Sequence, residues 1–136
     1  MARREYSALE LRARLEKRGY DATMIDDLLD ELRRAGWQDD GRYAASVLRS
    51  RLRRGYGPLD IRHRLHQAGI AADQAATDVD WNAVLAETYT KKYGDTYPDS
   101  REEYARRGRF LQGRGFSGEQ IRNFLDRLKR RRKEAS

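Results

Sequence analysis

The side chains in this sequence that are best suited to chemistry are arginines, and their chemistry is the binding of anionic groups. Arg42, Arg49 and Arg53 are seven and four residues apart, so a helix over residues 40–54 places all three on one face. A guanidinium group pairs bidentately with a carboxylate or a phosphate and stacks on planar partners. We therefore predict a binding face here; the alternative is a solvated face whose cations favour the negative end of the helix.

A tight turn follows this helix at residues 55–58, Gly-Tyr-Gly-Pro. Glycine suits the positive φ that often ends a helix, and Pro58 suits the first turn of the next one. Tyr56, beside Arg54, adds a rigid amphipathic side chain of the kind that is enriched at interfaces. The glycines do not form a nucleotide-binding loop, because no Lys-Ser or Lys-Thr pair follows them and no strand precedes them.

Further cations lie in the last third of the sequence. One predicted helix ends with Lys91 and Lys92, and the helices after it carry Arg101, Arg106, Arg107, Arg109 and Arg122. In a curved arrangement these cations continue the basic face, whereas in the alternative about half of them point into open solvent. The sequence is compatible with both arrangements.

Residue types that catalyse reactions or hold metals are present without the partners they need. His63 and His66 are three residues apart, but no third ligand cluster accompanies them, and the chain has no cysteine. Carboxylates such as Asp26 and Asp27 lie on polar faces of predicted helices that also carry arginines, which is typical of a salt-bridged surface rather than of a hydrolase. We therefore expect a protein that is not an enzyme and that requires no metal and no cofactor.

Helix signals recur along the whole chain, and no stretch alternates polar and apolar residues as a strand does. The pattern predicts eight short helices. The fifth is weak, and its apolar positions are Ala72, Ala75, Ala76 and Val79. The residues predicted to cap or open helices are Ser7, Asp21, Asp39 with Asp40, Pro58, Asp99 or Ser100, and Ser117.

An internal repeat emerges when the predicted helices are aligned. Residues 10–20 have a counterpart in residues 60–70 and a more diverged one in residues 106–116. The glycines of the three copies, Gly19, Gly69 and Gly115, are 50 and 46 residues apart. This spacing indicates a unit of roughly 45–50 residues with about three short helices.

These units predict an all-α fold of three tandem three-helix repeats that stack into an elongated, curved array. The first repeat is expected to be incomplete, because only six residues precede Ser7. The predicted divisions are residues 1–36, 37–79 and 80–128, followed by a basic C-terminal tail at 129–136. Six aromatic residues are expected to pack at the repeat junctions rather than to stack on bases: Trp37, Trp81, Tyr89, Phe110, Phe116 and Phe124.

The net charge of +7 is distributed unevenly, with 0 over residues 1–36, +2 over 37–79 and +5 over 80–136. Excess positive charge favours nucleic acid or acidic protein surfaces as partners. No apolar run approaches the length of a membrane span, and the first residues lack the apolar core of a signal peptide. We expect a cytoplasmic monomer that does not bind membranes.

The order and spacing of several motifs resemble the RecX family, whose members are bacterial modulators of the RecA recombinase. The resemblance spans residues 5–128. The motifs are residues 36–40 (Gly-Trp-Gln-Asp-Asp), 53–58 (Arg-Arg-Gly-Tyr-Gly-Pro), 61–65 (Ile-Arg-His-Arg-Leu), 91–94 (Lys-Lys-Tyr-Gly) and 110–116 (Phe-Leu-Gln-Gly-Arg-Gly-Phe). Two features depart from the family: the usual N-terminal extension is expected to be almost absent, and residues 129–133 are more basic.

The resemblance implies three tandem three-helix repeats that lodge in the groove of the RecA filament on DNA and inhibit its ATPase and strand-exchange activity. It also implies that direct DNA binding occurs in some members. The alternative function is a DNA-binding module without a recombinase partner, and a purely structural scaffold is a third class. The residues predicted to contact the partner or DNA are Arg49, Arg53, Arg54, Tyr56, Arg62, Lys91, Lys92, Arg106 and Arg109.

Overall fold

The computed structural model describes residues 4–71 and 78–135, and this part of the chain contains seven α-helices and no strand. The helices are α1 (Ala8–Lys17), α2 (Ala22–Arg34), α3 (Asp40–Arg53), α4 (Pro58–Gln67), α5 (Trp81–Tyr93), α6 (Arg101–Gly113) and α7 (Gly118–Ala135). The all-α prediction is confirmed. Of the weak helix predicted over residues 72–79, Ala72, Ala75 and Ala76 lie outside the described residues, and Val79 is not helical.

The helices begin where short polar side chains cap them. Ser7 forms a capping box with Glu10, because each side chain accepts a hydrogen bond from the backbone N–H of the other residue. Asp21 caps α2 as predicted, and Ser100 rather than Asp99 caps α6. Each cap satisfies backbone N–H groups that have no partner inside the first turn of a helix.

The chain divides into two compact units. Among the described residues, unit 1 contains residues 4–49 and 62–71, and unit 2 contains residues 50–61 and 78–135. The division falls within α3 and within α4. The predicted repeat boundaries at residues 36, 79 and 128 therefore stay predictions, although α7 runs without interruption through residues 129–135.

Unit 1 buries a small apolar core that includes Ile25 and Leu29 of α2 and Leu65 of α4. The start of α1 is tied to the start of α3, because the Ala8 N–H donates a hydrogen bond of 2.9 Å to Asp40 Oδ1. One aromatic prediction is wrong in this unit. Trp37 is 64% exposed, because it lies in the bend after the end of α2 at Arg34 and not on the buried face of a helix.

Unit 2 holds the larger core, formed by apolar side chains of α5, α6 and α7. Tyr89 is fully buried, and its ring lies 5.0 Å from that of Phe124. Among the other aromatic residues predicted to pack, Phe116 is fully buried and Phe110 packs against the cluster. Because this core fixes the orientation of α5 and α6, it also fixes the faces on which these two helices carry their cations.

Two turns meet edge to edge within unit 2, at Gly57 and at Gly115. The Gly57 N–H donates a 2.6 Å hydrogen bond to the Arg114 carbonyl, and the Leu59 N–H donates one of 2.9 Å to the Gly115 carbonyl. A Cβ atom on Gly57 would lie 2.6 Å from the Gly115 carbonyl oxygen, and one on Gly115 would lie 2.6 Å from the Asp60 nitrogen. Only glycine permits this approach of two backbones.

We predict that Gly57→Ala lowers the free energy of unfolding by about 2 kcal/mol, because the added methyl group forces the two turns apart. Gly108→Ala is the matched control, since a Cβ atom at this position in α6 meets nothing within 4 Å. It is expected to raise the free energy of unfolding by about 0.5–1 kcal/mol through helix propensity. Urea unfolding followed by circular dichroism measures both. Equal effects of the two substitutions would contradict the close crossing of the turns.

Candidate binding site around Tyr56

A buried ion pair links the end of α3 to the start of α4. Arg51 is 6% exposed, and its Nε and Nη2 donate hydrogen bonds of 3.0 and 3.2 Å to the two carboxylate oxygens of Asp60. The α3–α4 turn reverses the chain at Gly55, where φ is 82°, and this reversal brings the two side chains together. The bidentate geometry is the strong form of an arginine–carboxylate contact.

The Tyr56 ring contacts two guanidinium groups. The Arg51 guanidinium carbon is 3.5 Å from the ring centroid, and that of Arg114 is 4.9 Å from it. Arg114 Nη1 also donates a 2.5 Å hydrogen bond to the Arg54 carbonyl. Cation–π contacts of this kind favour a fixed ring orientation. The α3–α4 turn is therefore fixed by contacts with Arg51, at the end of α3, and with Arg114, after the end of α6.

A cavity of about 380 Å³ opens next to this turn, and all of its walls belong to unit 2. We call it the basic cavity. Its lining has five cations, Arg53, Arg54, Lys91, Lys92 and Arg114, and three apolar side chains, Leu52, Val84 and Phe110. One carboxylate, that of Glu87, belongs to the lining, and its Oε1 is 3.3 Å from Lys91 Nζ. This balance of charge favours anionic over cationic groups at the cavity.

Thr88 fixes α5 against the α3–α4 turn. Its hydroxyl oxygen is 3.1 Å from the Gly55 carbonyl and 2.8 Å from the Val84 carbonyl, both within hydrogen-bond distance. One turn further along α5, the Lys92 ammonium lies 3.9 Å from the centroid of the Phe110 ring. These contacts give the cations on α5 a defined position relative to those that follow α3.

Tyr93 follows Lys92 in α5, and its ring centroid is 5.7 Å from the Lys92 ammonium. Burial raises the pKa of Tyr93, against the opposing effect of the Arg107 guanidinium, whose carbon is 4.6 Å from the ring centroid. Arg107 itself points inward and donates hydrogen bonds to the Tyr89 hydroxyl (2.7 Å) and the Thr96 carbonyl (2.9 Å). It therefore stabilises the core of unit 2 and does not extend a basic face.

The structure brings together four of the nine residues predicted to bind a partner. Arg53, Arg54, Lys91 and Lys92 line the basic cavity, and Tyr56 supports it from the turn. Arg106 pairs with Glu103, and Arg109 is exposed on α6; neither lines the cavity. Arg49 and Arg62 are exposed and belong to unit 1. A binding role stays a prediction for all nine residues.

The residues of the site that were not predicted from the sequence include Arg51, Asp60 and Arg114. Arg51 and Asp60 are nine positions apart on different helices, so helical periodicity does not connect them. Arg114 carries a weak signal, because Arg114-Gly115-Phe116 has the same pattern as Arg54-Gly55-Tyr56. Both triplets end a helix, and the structure places their turns against each other.

Residues 4–71 and 78–135 contain neither a candidate metal site nor a candidate membrane span. No group of three or more histidine, aspartate and glutamate side chains in this part is arranged to hold a metal ion. No helix in it has the length and apolar character needed to cross a membrane.

Comparisons with known proteins agree with the fold. Residues 1–32, 39–77 and 78–125 match the family models of the first, second and third three-helix domains of RecX. The regulatory protein RecX of Acidithiobacillus ferrooxidans is 45% identical over 125 residues, covering 92% of this chain and 83% of that protein. The regulatory protein RecX of Ectopseudomonas mendocina is 42% identical over 130 residues, covering 92% of this chain and 87% of that protein.

A solved structure gives the same result for the architecture. The crystal structure of RecX from Lactobacillus salivarius superposes with a TM-score of 0.74 at 19% identity, covering 93% of this chain and 87% of that chain. The predicted composition of three tandem three-helix domains is thereby confirmed, as is the family resemblance.

We predict that Asp60→Asn lowers the free energy of unfolding by about 3 kcal/mol, because it leaves the buried Arg51 guanidinium without its counter-charge. The matched control is Asp26→Asn, which removes the partner of Arg12 from an ion pair whose carboxylate is 61% exposed. This change is expected to cost only about 0.5 kcal/mol, as is usual for surface pairs. Chemical denaturation of both variants tests the difference, and a small effect of Asp60→Asn would show that Arg51 is not an anchoring residue.

Proposed function

This chain belongs to the RecX family of regulatory proteins, and we propose that it binds the RecA recombinase filament and restrains ATP hydrolysis and strand exchange by the filament. RecA is the partner that the sequence resemblance implies. In this proposal the chain acts as a cytoplasmic monomer by binding alone and catalyses no reaction. The observation that carries the proposal is the convergence of cations from two helices, α3 and α5, and from the turns after α3 and α6 on the basic cavity.

The exposed arginines of the cavity are available for a partner. In the part of the chain that the structure describes, neither Arg53 nor Arg54 forms an ion pair with a carboxylate. Their backbone is held by the Arg51–Asp60 pair and by the contact of Arg114 with the Arg54 carbonyl. Preorganisation of this kind lowers the entropy that is lost when a partner binds.

A filament offers the same surface many times, and the chain has three related domains. When one domain is bound, contacts made by another form at high effective concentration. Several weak electrostatic contacts along successive protomers then add up to stable binding. This is the mechanism by which we propose that a small protein opposes filament activity.

The alternative function, binding to DNA without a recombinase, is favoured by one observation. The last turns of α7 carry five consecutive cations at residues 129–133, and all of them are exposed. A run of this kind suits phosphate contacts, which give affinity that falls steeply with salt. The two functions differ in whether the chain prefers the assembled filament or naked DNA.

We predict that the double substitution Arg53→Glu/Arg54→Glu weakens binding to RecA–DNA filaments by about tenfold or more, because it replaces complementary charge by like charge. The measurement is co-sedimentation with preformed filaments, with DNA alone at matched salt, together with the rate of ATP hydrolysis by RecA. Lys17→Glu/Arg18→Glu is the matched control, since these cations also end a helix before a Gly-Tyr pair and are exposed. The control is expected to bind within about twofold of the unaltered chain.

Two outcomes would contradict the proposal. If Arg53→Glu/Arg54→Glu still inhibits ATP hydrolysis by RecA as strongly as the unaltered chain, the basic cavity does not contact RecA. Equal binding to naked DNA and to filaments, with a steep dependence on salt, would favour the DNA-binding alternative.

A further inference from the structure

We propose that the basic cavity is a subsite for an acidic peptide segment in which an aliphatic side chain is flanked by carboxylates. The inference rests on the proposed function, because the segment would belong to the surface of the recombinase. It goes further by naming the chemistry that the cavity recognises.

The rim of the cavity is complementary to carboxylates. Arg53 and Arg54 lie on one side and Lys91 and Lys92 on another, with Arg114 joining the two through its contacts with the turn and with Phe110. Arginine fits a carboxylate bidentately, whereas lysine acts as a point charge. Carboxylates at two or more positions of a short peptide can therefore find partners at once.

The base of the cavity is apolar and small. Leu52 and Val84 are half-buried and expose part of their surface to it. The volume of about 380 Å³ lies at the low end of the ~300–1,000 Å³ that is usual for ligand pockets. This space suits one or two side chains of a peptide rather than a folded surface. An aliphatic side chain placed there loses water on contact with Leu52 and Val84, which stabilises the complex.

The contents of the cavity favour a peptide over a nucleic acid. The Phe110 ring has the Lys92 ammonium 3.9 Å from its centroid and the Arg114 guanidinium carbon at 5.2 Å. A base that stacks on this ring would have to displace one of these cations. The Glu87 carboxylate repels phosphates and carboxylates alike, but it accepts hydrogen bonds from peptide N–H groups, which a phosphate backbone lacks. A peptide therefore supplies hydrogen-bond donors for Glu87 and carboxylates for the five cations of the lining.

The test is a titration of the ¹⁵N-labelled full chain with a capped peptide of one leucine flanked on each side by two glutamates. We expect shifts of amide signals that concentrate at Leu52, Thr88 and Lys92. Replacement of the peptide leucine by serine is expected to weaken binding by about tenfold, as for the loss of one buried aliphatic side chain. Arg53→Glu/Arg54→Glu is expected to weaken it by about tenfold or more, and Lys17→Glu/Arg18→Glu by less than about twofold.

A second variant and a second ligand keep the result decisive. The amide spectrum of the double variant reports whether it folds. If it does not, Lys91→Gln takes its place: this substitution removes the charge of one exposed side chain of the cavity and is expected to weaken peptide binding. Equal affinity for the leucine and serine peptides, or shifts confined to other residues, would overturn the proposal. So would an oligothymidylate that shifts the same signals at lower concentration than the peptide, because the cavity would then be a nucleic-acid site.

The outcomes also separate this inference from the proposed function. Binding to RecA–DNA filaments without binding to the peptide overturns the subsite alone. Binding to the peptide without binding to filaments supports the subsite and overturns the recombinase as partner. Binding to neither overturns both.

Discussion

The ion pair between Arg51 and Asp60 is the interaction on which the basic cavity depends. A guanidinium group that is only 6% exposed has lost most of its hydration, and the bidentate carboxylate and the Tyr56 ring replace it. With this pair formed, the last turn of α3 and the first turn of α4 hold the connecting turn in one conformation. Within residues 4–71 and 78–135, Arg53 and Arg54 are exposed and form no ion pair with a carboxylate, and the buried Arg51 beside them fixes the backbone that positions them.

The same turn is fixed from the side of α5 and α6. The close approach of Gly57 and Gly115 leaves no room for a side chain, and the Thr88 hydroxyl meets the Gly55 carbonyl. The cations of the cavity therefore come from segments far apart in the chain, but each segment is attached to the others by backbone or buried contacts. This arrangement explains how a small, highly charged chain keeps several like charges close together. Their mutual repulsion is opposed by the core of unit 2 and by the two turns.

The sequence predicted the parts of the structure that depend on local interactions. Ser7, Asp21 and Ser100 were recognisable as caps because the N–H groups they satisfy lie two or three residues away. The exposed cation Arg53 was predicted from helical spacing, because that spacing also determines which face is solvated, whereas Arg54, Lys91 and Lys92 were predicted from their places at the ends of predicted helices. Contacts between distant segments were not predictable in this way. The Arg114 contact with Arg54 spans 60 positions, and the inward direction of Arg107 depends on the packing of Tyr89.

The central claim is that the cations around the α3–α4 turn contact the recombinase filament. Hydrogen–deuterium exchange of the full chain, alone and with preformed RecA–DNA filaments, tests it most directly, because the backbone amides report local protection without any substitution. The account predicts slower exchange at residues 52–57 and 87–92 when filaments are present, with little change at residues 12–20. Protection confined to residues 129–135, or to unit 1, would contradict it.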